Sequence, residues 1–334
     1  MPRIQTTVVG SYPVPDWLVS LPSEQALADA TRVVIGIQEQ AGIDLVCDGE
    51  LYRFDVNHPE TNGMIEYFVR PMDGITQRFS FEDLIAYRAS SGMRFRTRPP
   101  GTVIGPIGSG ALDLPLACAR AKALATKPLK FTVTGPHMLA KTLIDRHYGN
   151  LPDLAAAIGD ALAEQVRHCE AAVVQIDEAN LPGHPEEWAW AAAAINRVLD
   201  AVPGKAAVHL CFGNYGGQSV QKGTWDRLMR YLNALHADHI VMEVAHRPPE
   251  ELAAFRELDP KIGFGLGVID IKANEVETPE QVARAIERAE SVLGAGRVAY
   301  IHPDCGFWML KRPIADAKIR AMPAGRDLFE RAGG

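Results

Sequence analysis

No apolar run in this 334-residue chain approaches the length of a membrane span, which argues against a helical membrane protein. Basic charge is not in excess either. Against 41 aspartates and glutamates stand 34 lysines and arginines, a net charge near −7. Neither nucleic acid nor an anionic membrane finds a basic surface in that balance. The opening residues Met1-Pro2-Arg3-Ile4-Gln5 lack the charged-then-apolar pattern of a secretory signal, and a cytoplasmic protein is expected. Cysteine is scarce. Five residues, Cys47, Cys118, Cys169, Cys211 and Cys305, are odd in number and widely scattered, which argues against a disulfide framework. No glycine loop followed by Lys and Ser/Thr is present to cradle phosphates. Gly263-Phe264-Gly265-Leu266-Gly267 has the wrong spacing for a dinucleotide fingerprint and reads as a tightly packed strand. No repeat or low-complexity linker divides the chain, so one domain spanning 1–334 is expected.

What is present is an alternation. Short apolar runs predict strands at Thr6–Gly10, Asp44–Asp48, Lys130–Thr134, Val173–Asp177, Ala206–Cys211, His239–Glu243, Ile262–Val268 and Val298–Ile301. Amphipathic runs rich in Ala, Leu, Glu and Arg predict helices at Ser23–Gln40, Leu154–Glu170, Glu186–Ala201, Thr224–His236, Pro249–Glu257, Pro279–Leu293 and from Pro313 onward. Continuously apolar strands alternating with helices favour a parallel sheet covered on both faces. The count and length point to an α/β fold, a (β/α)8 TIM barrel, with a doubly wound open sheet as the rival. One interval breaks the rhythm. Between Glu50 and Lys130 the chain predicts a long irregular excursion after strand 2, a hairpin plus a helix over the barrel mouth. Arg94, Arg96 and Arg98 alternate there and suit either an anionic ligand or a solvated loop.

The chemistry-bearing residues gather at strand ends. His209 and Cys211 stand at i and i+2 on the fifth predicted strand, so both side chains point to one side. Glu243 ends the sixth, and Cys305, within Pro303-Asp304-Cys305-Gly306, follows the eighth. Imidazole, carboxylate and two thiolates form a zinc ligand set. Barrel active sites lie at the C-terminal strand ends, where these four residues would converge. Other polar residues share that level. Asp177-Glu178 closes the fourth strand and Asp48-Gly49-Glu50 the second. Gly10-Ser11 ends the first, where a small residue lets a ligand approach the backbone. Asp270 and Lys272 follow the seventh. An acid such as Asp177 suits a substrate ammonium group, and equally a helix N-cap or a salt bridge.

In their order along the chain, several segments resemble the C-terminal catalytic barrel of cobalamin-independent methionine synthase. They are Thr7-Val8-Val9-Gly10-Ser11-Tyr12-Pro13, Asp48-Gly49-Glu50, Val133-Thr134-Gly135-Pro136, Gln175-Ile176-Asp177-Glu178, His209-Leu210-Cys211, Met242-Glu243, Gly267-Val268-Ile269-Asp270 and Pro303-Asp304-Cys305-Gly306. The resemblance covers nearly the whole chain, in a short single-barrel form. It implies Zn2+ held by His209, Cys211, Glu243 and Cys305. It also implies a pocket for an amino-acid thiol, with backbone contacts from Gly10 and Ser11 and an amino group held by Glu50 and Asp177. Asp177, Asp270 and Lys272 are the residues expected to act in catalysis. The expected activity is zinc-dependent methyl transfer to homocysteine, giving methionine, with a zinc-bound thiolate as nucleophile.

Two positions depart from the full-length enzymes. Lys272 stands where they carry a histidine, and the segment after Thr134-Gly135-Pro136 reads His137-Met138-Leu139-Ala140-Lys141, without the tryptophan that stacks on the pterin in those enzymes. Folate is therefore not the expected donor by default. Methylcobalamin or a corrinoid protein is a candidate source, and other thiol alkylations are the alternative, namely epoxide opening by a thiol or demethylation of a small metabolite. A structural zinc in a binding subunit, and metal-dependent hydrolysis, are the readings from other classes. Thiolate ligands disfavour hydrolysis.

Overall fold

In the computed structural model, residues 3–55, 58, 61–90, 96, 98–214 and 219–333 are described. Among them are ten strands: β1 (Gln5–Thr6), β2 (Asp73–Thr76), β3 (Thr102–Gly108), β4 (Lys130–Thr134), β5 (Ile144–Asp145), β6 (Val173–Glu178), β7 (Lys205–Leu210), β8 (His239–Met242), β9 (Gly263–Ile269) and β10 (Val298–Pro303). Seven form one sheet in the order β1-β10-β9-β8-β7-β6-β4, and every pairing is parallel. Two parallel bridges, Thr7 to Leu45 and Val46 to Leu129, carry the ring across the remaining gap. The expected second strand is thus a stave held by isolated bridges. Its backbone groups find side chains instead: the Gln38 amide accepts from Cys47 N and donates to Cys47 O at 2.9 and 2.8 Å. The Asp44 carboxylate likewise takes the Thr6 N–H at 2.9 Å. The result is the TIM-barrel architecture that the alternation predicted.

Helices cover the outer face. The helix Glu24–Ala41 starts at Ser23, whose hydroxyl accepts from Ala26 N, and stops at Gly42, in the left-handed region at φ 93°. A reciprocal capping box between Thr278 and Gln281 opens Pro279–Leu293. Two predicted helices are tighter than expected. Pro249–Glu257 is a 3-10 helix, and the 224–236 interval divides into the 3-10 turn Trp225–Leu228 and a short helix Met229–Asn233. Apolar periodicity does not separate these two windings in short segments.

The excursion holds the predicted hairpin. β2 pairs antiparallel with β3, which pairs parallel with β5. Helix Glu66–Val69 precedes β2, Phe81–Ser90 lies between β2 and β3, and Leu114–Lys122 follows β3. One part of it departs from the expected cover over the mouth. β3 and the turn after it run down the flank of helix Leu151–Val166, where Ser109 Oγ bonds Glu164 at 2.9 Å and Leu114 N bonds Gln165 at 3.0 Å. Among its described residues, the turn Leu51–Arg53 reaches the site, through Arg53 on Glu50 and Thr132. Arg96 forms a buried ion pair with Glu66, Arg98 is exposed, and Arg94 lies outside the described residues.

The period of two along the staves builds the interior in levels. Leu45, Val173 and Ala207, with Tyr300 against them, make an apolar plug separate from the main core between sheet and helices. Two residues further along β6, β7 and β10 come Gln175, His209 and His302, and with the next step from the first two come Asp177 and Cys211. Polar groups therefore sit above a sealed floor, at the C-terminal ends of the strands.

Candidate metal centre

Three donors converge. One ligating atom each from His209, Cys211 and Cys305 lies within 4.8 Å of the others. The two sulfurs are 3.8 Å apart. Two metal–sulfur bonds of about 2.3 Å at a tetrahedral angle require about the same separation. His209 is oriented for the task. Its Nδ1 donates to Val241 O at 2.9 Å, which leaves the buried Nε2 with no hydrogen-bond partner. A ligand imidazole characteristically has its other nitrogen tied to a carbonyl in this way. The donor set and the orphaned nitrogen both fit a zinc ion.

Electrostatics describe what holds the cluster when protons are its only cations. Burial opposes charge on His209, but the neighbouring Cys211 and Asp177 outweigh it and push the imidazole up to about 9. The hydrogen bond with Cys305, then burial, raises the Cys211 thiol well above its ordinary range. A divalent cation would relieve both by replacing the protons.

Glu243 is not among the three convergent donors. Its Oε2 accepts from Phe212 N at 2.8 Å, and its Oε1 takes the Lys272 ammonium at 2.7 Å. Burial works against the Lys272 charge, yet Glu243 more than compensates and holds its pKa above the usual lysine value. Asp270 stands behind this pair. Its Oδ1 accepts from Lys272 N at 2.8 Å, and its Oδ2 meets His246 Nδ1 at 3.0 Å. The turn after Glu243 is tied down by Asp304, whose carboxylate accepts from the amides of Val244, Ala245 and His246. Burial and then the Glu243 charge push Asp304 up to about 7, against the pull of those three donors.

The other half of the site adjoins His209. Asp177 sits opposite His209 in the register of β6 and β7. Burial raises its carboxyl to about 6, with Glu50 adding to the rise and His209 opposing it. Gln175 donates to Asp177 Oδ1 at 2.7 Å. The Lys130 ammonium bonds Gln175 Oε1 at 2.6 Å and Val8 O, so the amide can present only its NH2 end to Asp177. Glu50 accepts from Thr132 Oγ1 at 2.6 Å and pairs with Arg53 at 3.4 Å. It holds that place in the left-handed backbone region, at φ 59°. Gly10 is required by this arrangement, since a Cβ there would overlap Glu50 Oε1. Ser11 lies on the cysteine side: its carbonyl accepts from Phe307 N at 2.8 Å, and a Cβ on Gly306 would overlap its hydroxyl.

The adjacent acids Asp177 and Glu178 part company. Asp177 faces the barrel interior, whereas Glu178 turns outward and accepts from Met138 N at 3.1 Å, at the start of helix Pro136–Thr142. His137 is buried between Glu178 and Glu187, with the Trp190 ring 4.8 Å away. It is a packed structural residue. His184, Glu186 and Glu187 form a second acid–imidazole group, but Glu187 is already committed to His137 and Lys141. Reasoning from sequence missed Lys130, Thr132, Gln175 and Arg53. The first three alternate inward on their strands, a polar file within apolar runs, which is the signal that marks them. Arg53 gives none.

A family model described as the catalytic domain of cobalamin-independent synthase matches residues 4–325. A methionine synthase from Thermococcus kodakarensis is 30% identical, covering 99% of this chain and 95% of its own. One from Saccharolobus islandicus is 29% identical over 97% and 94%. Among solved structures, a B12-independent methionine synthase from Shewanella sp. W3-18-1, in complex with selenomethionine, superposes with a TM-score of 0.81 at 23% identity, covering 99% of this chain and 98% of that one. A putative vitamin-B12 independent methionine synthase from Listeria monocytogenes gives 0.70 at 16% identity, with 96% of both chains covered. These structural likenesses show the fold.

Proposed function

Since the chain belongs to the cobalamin-independent synthase family through its catalytic domain, we propose that it transfers a methyl group to the sulfur of homocysteine, using a zinc ion held by His209, Cys211 and Cys305 with Glu243 beside them. The observation that carries this reading is the meeting of two thiols and a partnerless imidazole nitrogen at the strand ends. A zinc ion there would supply Lewis acidity that draws the proton off a substrate thiol and leaves its sulfur nucleophilic. The whole chain, 1–334, acts as one catalytic barrel. No helix among the described residues is long and apolar enough to cross a membrane, consistent with a cytoplasmic site of action.

The remaining groups position the thiol. Asp177 and Glu50 face one ammonium group, and Gly10 leaves the room that Glu50 needs. Gln175, fixed by Lys130, keeps Asp177 oriented. An acidic pocket next to His209 would favour an amino-acid thiol over a simple one. Two observations favour a donor other than folate. The segment His137-Met138-Leu139-Ala140-Lys141 after Pro136 carries no tryptophan to stack on a pterin, and Lys272 is committed to Glu243. Methylcobalamin, free or on a corrinoid protein, is the donor class we favour.

Incubation of zinc-loaded protein with homocysteine and a donor panel tests the assignment. The panel comprises methylfolates, methylcobalamin, a sulfonium compound and an epoxide. Mass analysis should show methionine formed from methylcobalamin. An epoxide thioether as the main product would move the enzyme to the other alkylation class, and no thioether from any donor would overturn the proposal.

A further inference from the structure

Glu243 stands beside the three convergent donors, and both of its oxygens are already engaged. Phe212, directly after the ligand Cys211, donates to one oxygen at 2.8 Å, and Lys272 holds the other at 2.7 Å. The pair is sealed from water, with 3% of the Lys272 side chain and none of the Glu243 side chain exposed. Lys272 is itself held in place, because its own N–H bonds Asp270 Oδ1. This is a built arrangement around one carboxylate and not a surface contact.

We infer that Lys272 is a positioning residue that competes with the bound metal for Glu243, so that the fourth coordination position is yielded to the substrate thiol. The inference rests on the zinc reading above. A closed set of four protein ligands is the arrangement of structural zinc sites, whereas catalytic sites keep a position open. In this chain the open position is secured by offering the would-be fourth ligand a second cation. With Lys272 present, moving Glu243 off the ion costs little, because an ammonium and an amide N–H receive it. Without Lys272, Glu243 becomes a buried carboxylate that has lost its ammonium partner and turns to the metal.

A double-substitution cycle tests this. Zinc affinity is measured by competition with a chromophoric chelator for the unmodified protein, Lys272→Met, Glu243→Gln and the double variant. Homocysteine affinity of each zinc-loaded form is measured alongside by calorimetry. Lys272→Met should tighten zinc by at least about tenfold, the scale on which groups behind a ligand act, and should weaken homocysteine binding. In the Glu243→Gln background the same change should have little effect on either. Lys272→Arg should behave as the unmodified protein. An equal tightening in both backgrounds would mean simple charge repulsion and would overturn the inference, as would unchanged or weaker zinc binding in Lys272→Met. Should Lys272→Met fail to fold, Lys272→Gln takes its place in the cycle, keeping a donor while removing the charge. Failure of the unmodified protein to bind zinc would instead remove the function proposed above.

Discussion

Replacing Cys305 with serine, or His209 with alanine, is expected to empty the site of metal and to lower thiol methylation by on the order of a thousandfold or more. Each substitution removes one of the three donors that converge among the described residues. A serine hydroxyl does not replace a thiolate at zinc, and alanine leaves no donor where the bare Nε2 stood. Without the ion, a thiol in water stays mostly protonated near neutral pH, and the several kcal/mol of Lewis-acid assistance disappear. The fold should survive. Nε2 of His209 has no protein partner to lose, and Cys305 lies beyond the end of β10. Metal content by mass spectrometry, read with turnover and circular dichroism, checks the outcome. Cys118→Ala is the control, since that residue is buried in the helix Leu114–Lys122. It should keep both metal and activity. Full zinc content in folded Cys305→Ser would refute the ligand assignment.

Asp177→Asn is expected to raise the KM for homocysteine by on the order of a hundredfold while zinc content stays normal. A charge-assisted hydrogen bond in a buried site contributes about 2–3 kcal/mol, and the substitution keeps the shape while removing the charge. The pH dependence follows from the same residue. Burial first, with Glu50 adding, raises the Asp177 carboxyl to about 6. The ionised form, which attracts an ammonium, dominates above that value and gives way to the neutral acid below it. Homocysteine affinity should therefore fall as the pH drops through about 6, and Asp177→Asn should flatten that acid limb. A thiol without an amino group should show little dependence on either change. Loss of zinc in Asp177→Asn would move the residue from the substrate pocket to the support of His209, its register partner.

Most of the barrel could be read from the chain because parallel strands buried on both faces are written as continuous apolar runs. Gly263–Ile269 is a plain example. The second stave was placed correctly, but its weak pairing was not foreseeable. Gln38, distant from it along the helix Glu24–Ala41, supplies the bonds that a strand neighbour would. His209 and Cys211 were legible because a two-residue step on a strand fixes a common direction, and Cys305 because it follows a strand end. Glu243 shows where such reasoning stops. Its position beside the cluster follows from the strand, but its commitment to Lys272 arises from two loops on different staves, and no local pattern records that meeting. Similarly, nothing in Asp177-Glu178 says that one acid faces the barrel interior and the other a helix start until the strand's phase is known. Arg53 lies in the excursion, where no periodicity exists to place it.

X-ray absorption at the zinc edge on the purified protein measures the central arrangement directly. Stoichiometric zinc with two sulfur scatterers at about 2.3 Å and nitrogen or oxygen at about 2.0 Å is the predicted result, with one sulfur added on saturation with homocysteine. A metal shell without sulfur, or a coordination unchanged by the thiol, would contradict it.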